Sequence, residues 1–224
     1  MLGKTFRILG LALALGIGTP MLAGAGMYGP DAGLGPSMGA AHSMAVASTT
    51  LTDEEVADLL FMREEEKLAR DLYLSFYEQW GGTTFASIAS SEQQHMNAIL
   101  RKLVKYRLPD PAAGNAIGEF ADGELQTLHD DLLDEGMESE LAALMVGGYV
   151  EELDIVDNTE AGEAATQQDL KRVYEALTCG SRNHLRAFAG RIFTLTGVPY
   201  VAQYLTQQEV NAILLQPNEQ CGWR

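Results

Sequence analysis

Carboxylates and imidazoles interrupt four apolar stripes of this 224-residue chain, at positions where helical spacing would otherwise place hydrocarbon. The interruptions are Glu66 in the first stripe, Glu92 and His95 in the second, Glu151 in the third, and Ser181 with His184 in the fourth. A buried carboxylate without a partner loses several kcal/mol of hydration free energy, so it must take up a proton, form an ion pair or bind a metal. One or two divalent ions would serve these side chains together, because carboxylate and imidazole ligands suit iron and manganese, and also zinc.

The second stripe carries the most specific spacing. Glu92 and His95 are three residues apart, so they lie on the same face of a helix and can hold one ion between them. This spacing alone also occurs on exposed helices. The presence of such residues in all four stripes is what favours a shared metal site.

The other interruptions each have an alternative that needs no metal. Glu66 belongs to a run of three glutamates beside basic residues, and such a run is typically a solvated face of a helix. The acidic residues around Glu151 would equally suit an acidic surface or pairing with Arg182 and Arg186. His184, taken by itself, is typical of an ordinary core or surface histidine.

Six helices are predicted to position these residues, over 52–80, 84–107, 123–135, 138–157, 167–197 and a short segment after Thr206. Capping boxes at Thr52 and Thr206 mark two of the helix starts, and Gly180 marks a place where the fifth helix could kink. No segment shows convincing strand alternation. Four long helices with short extra ones therefore predict an all-α four-helix bundle with one longer crossover.

The first 25 residues have the pattern of a secretory signal peptide. Lys4 and Arg7 precede an apolar run over residues 8–18, and small residues at 23–25 suit a signal peptidase. An uncleaved anchor is the alternative, although the glycines and proline of the segment make a poor membrane helix. We therefore expect an exported protein, periplasmic or secreted, with no stable membrane insertion after cleavage. Residues 26–50 are predicted to be a flexible spacer, and residues 51–224 a helical bundle domain with a C-terminal extension.

The overall charge and the cysteine count exclude several classes of function. The chain has 15 Lys and Arg against 31 Asp and Glu, a formal charge of −16, which argues against nucleic-acid binding. Two cysteines are too few for a disulfide scaffold or a four-thiolate metal site. Export would permit a disulfide between Cys179 and Cys221, which would attach the C-terminal tail to the last long helix.

Four stretches together resemble the ferritin-like superfamily, in particular rubrerythrins and bacterioferritins. They are residues 62–71 (MREEEKLARD), 91–96 (SEQQHM), 151–155 (EELDI) and 180–188 (GSRNHLRAF). More closely, they are similar to an uncharacterised bacterial ferritin-like family, a domain of unknown function, over nearly all of 52–215. The resemblance implies a ferritin-like four-helix bundle with a carboxylate and histidine metal site.

The resemblance also implies which residues hold the metal. The first-helix pattern matches Glu66, Ala69 and Tyr73, which selects Glu66 over Glu65, and the second-helix Glu-x-x-His matches Glu92 and His95. The third-helix glutamate matches Glu151 or Glu152. The fourth-helix Glu-x-x-His finds His184 but has Ser181 in place of the glutamate, so either Asp154 or Glu152 supplies a further ligand, or the second metal is weak, or the site holds a single ion. Tyr73 is then expected to donate a hydrogen bond to a ligand, and Arg70 to balance charge.

The function expected from this resemblance is binding of iron, as a di-iron or single-ion site, or of manganese or zinc. Relatives with a di-iron centre use it to oxidise ferrous iron or to reduce peroxide, so O₂ or peroxide are candidate substrates. A non-catalytic metal carrier and a metal-free exported scaffold are the alternatives. Bundles of this superfamily often pair through helix faces, so a homodimer is compatible with the sequence.

Overall fold

The computed structural model describes residues 50–222, which form six α-helices and, within that range, no strand. The helices are α1 (Asp53–Trp80), α2 (Thr83–Tyr106), α3 (Gly123–Gly136), α4 (Glu140–Ala164), α5 (Gln168–Thr196) and α6 (Gln207–Leu214). The predicted all-α bundle with short extra helices is confirmed. None of the helices in this range combines the length and the apolar character that crossing a membrane requires. The predicted signal peptide and nearly all of the spacer lie outside the described residues.

Local side-chain chemistry fixes several helix ends. The Thr52 side chain accepts a hydrogen bond from the backbone N–H of Glu55, and the Glu55 carboxylate accepts one from the Thr52 N–H. Thr206 and Glu209 form the same reciprocal capping box at the start of α6. Gly81 ends α1 with φ of 71°, a conformation that favours glycine. Both predicted capping boxes are therefore confirmed.

The four long helices are arranged so that each one is antiparallel to the two long helices it packs against. One apolar cluster joins Leu59 near the start of α1, Leu103 near the end of α2, Ala161 near the end of α4 and Leu170 near the start of α5. Helix α1 is therefore antiparallel to α2 and α4, against which it packs, and parallel to α5. Helix α5 packs in turn against α4 and α2, which closes the bundle.

A long crossover between the parallel helices α2 and α4 covers one face of α1. Arg63 pairs with Asp110 at 2.9 Å, the Lys67 ammonium donates to the Ala116 carbonyl at 2.7 Å, and Glu64 accepts from the Ala121 backbone N–H at 2.6 Å. The alternative in which the three-glutamate run forms a solvated face is wrong. All three glutamates are buried: Glu64 lies under the crossover, and Glu66 faces His95 of α2 inside the bundle.

One predicted helix boundary differs from the observed one. Helix α4 continues to Ala164, about two turns beyond the predicted end at 157. Helix α5 is a single helix through Gly180, so that glycine does not end or interrupt it. After α5, the C-terminal segment returns along this helix and is attached to it by a disulfide between Cys179 and Cys221.

Candidate metal centre

A polar layer crosses the bundle between two apolar layers. On one side lies the apolar cluster that includes Leu59 and Leu103. On the other side Phe76, Phe85 and Phe188 pack together, with ring centroids 5.7 and 5.9 Å apart along that series. Each long helix contributes to the layer between them because its apolar stripe is interrupted by an acid or a histidine about halfway along. The shared position of these interruptions brings them together in space.

Two groups of three potential ligands form in this layer, and in each group the ligand atoms lie within 4.8 Å of one another. We name them the α1 group, which is Glu66, Glu92 and His95, and the α4 group, which is Glu92, Glu151 and His184. All five residues are buried, and His184 is the most exposed at 8 %. The structure therefore brings together the five acidic and histidine residues that interrupt the stripes.

The α1 group is centred on the His95 imidazole. Its Nδ1 lies 3.0 Å from Glu66 Oε2 and 2.7 Å from Glu92 Oε2. Because Glu92 and His95 are three residues apart on α2, a single helix presents both to the same point, and Glu66 approaches from α1. One imidazole nitrogen thus faces two carboxylate oxygens from two helices.

The α4 group repeats this arrangement around His184. Its Nδ1 lies 2.7 Å from Glu92 Oε1 and 3.3 Å from Glu151 Oε2, while its Nε2 lies 2.8 Å from the Ser91 hydroxyl. The Tyr73 hydroxyl donates to Glu151 Oε1 at 2.7 Å. Ser91 and Tyr73 therefore orient a histidine and a carboxylate whose remaining atoms face the centre of the layer.

Glu92 belongs to both groups. Each of its two oxygens lies 2.7 Å from a different imidazole Nδ1, yet neither oxygen takes part in a hydrogen bond of acceptable geometry. Glu66 Oε1 is also buried and without a hydrogen bond. Buried carboxylate oxygens are costly to leave in this state. Glu66 Oε2 and Glu151 Oε2 each have a hydrogen bond with an imidazole, whereas Glu66 Oε1 and both Glu92 oxygens have none.

Asp154 lies next to these groups, one turn along α4 from Glu151. It is fully buried, and both of its carboxylate oxygens lack a hydrogen bond. Burial, followed by the negative charges of Glu65 and Glu66, raises the pKa of Asp154 well above its ordinary value. The Ser181 hydroxyl, which stands where the resemblance expects a glutamate, donates to the Leu177 carbonyl of its own helix. Asp154 is therefore placed beside the cluster as an additional carboxylate, and Ser181 is not.

The charges of the cluster shift its pKa values in opposite directions. Burial opposes the charged form of His184, but Glu92 and Glu151 outweigh it and raise the pKa of His184 to about 10. Burial raises the pKa of Glu66 to about 7, although His95 acts against it. Burial would also raise the pKa of Glu92, but the two histidines lower it below its ordinary value. Without a cation, Glu92 is therefore ionised, and the raised pKa values of Glu66 and His184 favour the protonated forms of those two side chains.

These residues fit a divalent metal. Carboxylate oxygens and imidazole Nδ1 atoms are ligands that iron, manganese and zinc accept. The unpartnered oxygens of Glu92, Glu66 and Asp154 are the atoms that a cation would satisfy. Hydrogen bonds from Tyr73 and to or from Ser91 supply the outer support that metal ligands commonly have.

Glu152 is not part of the cluster, contrary to its candidacy as a ligand. Its carboxylate accepts hydrogen bonds from the Tyr200 hydroxyl at 2.7 Å and from the backbone N–H groups of Gln203, Tyr204 and Leu205. It therefore fixes the segment that follows α5. The side chain points away from Glu151 because successive residues of a helix face different directions.

Arg70 does not balance the charge of the cluster either. Its guanidinium donates to Asp71 at 2.6 Å and to Gln93 at 2.6 Å. Arg182 and Arg186, which could have paired with the acids of α4, both bind Glu219 of the C-terminal segment instead. The metal-free alternative based on these three arginines is therefore not supported by their contacts.

Gly180 is a residue of the site that the sequence assigned to a different role. A Cβ atom at this position would stand 2.5 Å from His95 Nε2, which is closer than real contacts allow. The glycine therefore makes room on α5 for the imidazole of α2. In the sequence, Gly180 stands one residue before the Ser181-x-x-His184 motif. That position does not show whether the glycine kinks the helix or makes room for a side chain of another helix.

The comparisons with known proteins cover the whole site. The model of a family described as "Uncharacterized protein domain (DUF2202)" matches residues 55–217. An uncharacterized protein of Methanocaldococcus jannaschii, MJ0754, is 42 % identical over 169 residues, which are 75 % of this chain and 91 % of that protein. The crystal structure of hypothetical protein MJ0754 from Methanococcus jannaschii is similar with a TM-score of 0.74 and 40 % identity, and the match covers 78 % of this chain and 99 % of that chain.

Proposed function

The chain belongs to the DUF2202 family, and we propose that it is an exported metal-binding protein that holds iron, or a similar divalent ion, between its four long helices. The observation that carries the proposal is the position of Glu92. This buried carboxylate has one oxygen beside the imidazole of the α1 group and the other beside the imidazole of the α4 group. A carboxylate placed in this way suits two neighbouring cations, which is why we favour a pair of ions over one.

Charge balance supports the same conclusion. The two groups contain three carboxylates and two imidazoles, and Asp154 adds a fourth carboxylate beside them. If all four carboxylates were ionised, negative charge would remain even with both histidines protonated, so the metal-free site needs further protons, as the raised pKa values of Glu66, Glu151 and Asp154 indicate. Divalent cations would remove this excess and allow the histidines to bind as neutral ligands.

The ligands in this proposal are Glu66, Glu92, His95, Glu151 and His184, with Asp154 as an additional carboxylate. Tyr73 holds Glu151, and Ser91 holds His184, so that one carboxylate and one imidazole keep their orientation whether or not a cation is bound. Burial of the whole set keeps bulk water away from the ligand atoms.

The ferritin-like resemblance suggests the finer assignment. The four interrupted helices, the Glu-x-x-His of α2 and the tyrosine seven residues after Glu66 are the features that support it. A redox-active metal bound here would supply ferroxidase or peroxidase chemistry toward O₂ or peroxide. The residues of the chain would then keep the ligand oxygens in place and the site dry.

Metal analysis tests this proposal directly. The protein is purified without a histidine tag, freed of metal, and dialysed against Fe(II) under anaerobic conditions, or against Mn(II) or Zn(II). We expect up to two bound ions in the wild type and a strong loss in Glu92→Gln. Glu64→Gln is the matched control, because Glu64 is an equally buried glutamate of the bundle that binds the crossover backbone instead.

Two results would contradict the assignment. One is the absence of bound metal from the wild type, which would leave the scaffold alternative. The other is an equal metal content in the Glu92→Gln and Glu64→Gln variants. Turnover of Fe(II) with O₂ or peroxide by the loaded wild type then separates an enzyme from a carrier.

A further inference from the structure

A second site is indicated outside the cluster, in a groove of about 620 Å³ between α2, the first half of α5 and the C-terminal segment. The groove is lined by four of the chain's 15 Lys and Arg residues, namely Arg101, Lys102, Lys105 and Arg172. Only two carboxylates, Asp169 and Glu175, line it with them. A chain with a formal charge of −16 thus places a net positive surface inside this one concavity.

The cations of the groove are not all neutralised by these carboxylates. Asp169 already pairs with Lys102 at 3.0 Å and Lys105 at 2.8 Å, and it accepts a hydrogen bond from the Tyr106 hydroxyl at 2.7 Å. Arg101 and Arg172 are exposed, and neither makes a hydrogen bond or an ion pair within residues 50–222. Two guanidinium groups are therefore free to bind an anion.

The C-terminal segment builds one wall of the groove. Gln220, Cys221 and Gly222 line it, opposite the basic side chains of α2. The disulfide to Cys179 and the ion pairs that Glu219 makes with α5 keep this segment in place. The concavity thus depends on a covalent attachment and is not a simple gap between two helices.

We infer that this groove binds a small, multiply charged anion that carries carboxylate or phosphate groups. Guanidinium groups recognise both kinds of group through paired, charge-assisted hydrogen bonds. The volume lies within the range of small-molecule sites, about 300–1,000 Å³. A nucleic acid is disfavoured because the strongly acidic remainder of the chain would repel a long phosphate backbone.

The groove is a close neighbour of the candidate metal centre. Ala98 in its lining is three residues after His95 on α2, and Cys179 immediately precedes the glycine that packs against the His95 ring. Under the proposed metal-binding function, an anion here would lie about one helical turn from a ligand. Binding of the anion itself does not require the metal, so it can be tested without one.

The test is isothermal titration of the metal-free, disulfide-bonded protein with citrate and, separately, with pyrophosphate. We expect one binding event with at least one of the two anions. The double variant Arg101→Gln/Arg172→Gln should weaken it by about tenfold or more, because each exchange removes a charged partner. The matched control is Arg107→Gln/Lys171→Gln, which removes the same charge from two cations that do not line the groove and make no ion pair within residues 50–222.

A second variant tests the wall. Cys179→Ser/Cys221→Ser should also weaken binding, while its circular dichroism spectrum remains that of the wild type. The proposal is overturned if neither anion binds, or if the control variant weakens binding as much as the groove variant, because attraction would then be a matter of net charge alone. Since all titrations use metal-free protein, failure here leaves the metal proposal untouched, and failure of metal binding leaves this one untouched.

Discussion

Glu151 and Glu152 offer a sharp test because they are neighbours on α4, have the same chemistry and are both fully buried. Glu151 lies beside His184 and accepts a hydrogen bond from Tyr73. Glu152 instead holds the segment after α5. Glu151→Gln should therefore reduce the stabilisation that metal provides, whereas Glu152→Gln should leave that stabilisation intact.

The size of the effect follows from linkage between binding and folding. At a free metal concentration of about 1,000 times Kd, one ion that binds only the folded state raises the free energy of unfolding by about 4 kcal/mol. For a domain of this size, such a gain raises Tm by about 8–16 °C. Loss of the α4 group should remove an increment of this order. Glu152→Gln should lower stability by about 1–3 kcal/mol through weakened hydrogen bonds, equally with and without metal.

Calorimetric unfolding with Mn(II) and with a chelator measures this difference for the wild type and both variants. The quantity compared is the metal-dependent shift in Tm, so a general loss of stability cancels. An equal reduction of the shift in both variants would refute the assignment of Glu151. So would a wild-type Tm that does not respond to the chelator.

Three further outcomes are expected. Tyr73→Phe removes the hydrogen bond to Glu151 and should weaken metal binding by about tenfold or more. Tyr200→Phe, which removes a hydrogen bond to Glu152, should not weaken it. Equal affinities of the two variants in equilibrium dialysis would contradict this prediction. Gly180→Ala should displace the imidazole of the α1 group and lower the metal content measured by elemental analysis. The control is Gly190→Ala, on the same helix with open space around it. This variant should keep its metal, and its free energy of unfolding, measured with urea, should rise by about 0.5–1 kcal/mol. In the metal-free protein the pKa of His184 is raised from 6.5 to about 10. Its contribution to the free energy of unfolding is therefore complete below pH 6.5 and is lost as the pH rises through 10. A free energy of unfolding in urea that increases steadily between pH 7 and 10 would contradict this prediction.

The helices and the inward-facing acids and histidines could be predicted from the sequence because both depend on local sequence patterns. The Thr52 and Thr206 capping boxes each lie within four residues, so their hydrogen bonds form within a single turn. The interruptions at Glu92 and His95 share the period of the apolar residues around them, so burial of the stripe also buries them. Convergence of four such stripes then follows from bundle packing.

The roles of the remaining charged residues depend on distant parts of the chain. Glu152 cannot be told from Glu151 by sequence, since the difference lies in the backbone N–H groups of residues 203–205. Arg70 was expected to balance the cluster, but Asp71 and Gln93 hold its guanidinium. The spacing of apolar residues along the sequence shows which residues share a helix face. It does not show which face the crossover between α2 and α4 will cover.

The direction in which the basic residues point supports the proposal that the buried carboxylates bind a cation from outside the chain. Lys67 lies one residue after Glu66, yet it binds Asp71 and the crossover carbonyl of Ala116. Within residues 50–222, no lysine or arginine forms an ion pair with the carboxylates of the two donor groups or with Asp154. Folding thus directs the positive side chains of α1 toward its crossover and leaves the carboxylates facing two imidazoles. A chain selected only for a stable metal-free core would gain by exchanging these carboxylates for hydrocarbon, because buried charge is costly even when it is paired. Under the proposed function, divalent cations bound by these carboxylates and histidines would offset that cost.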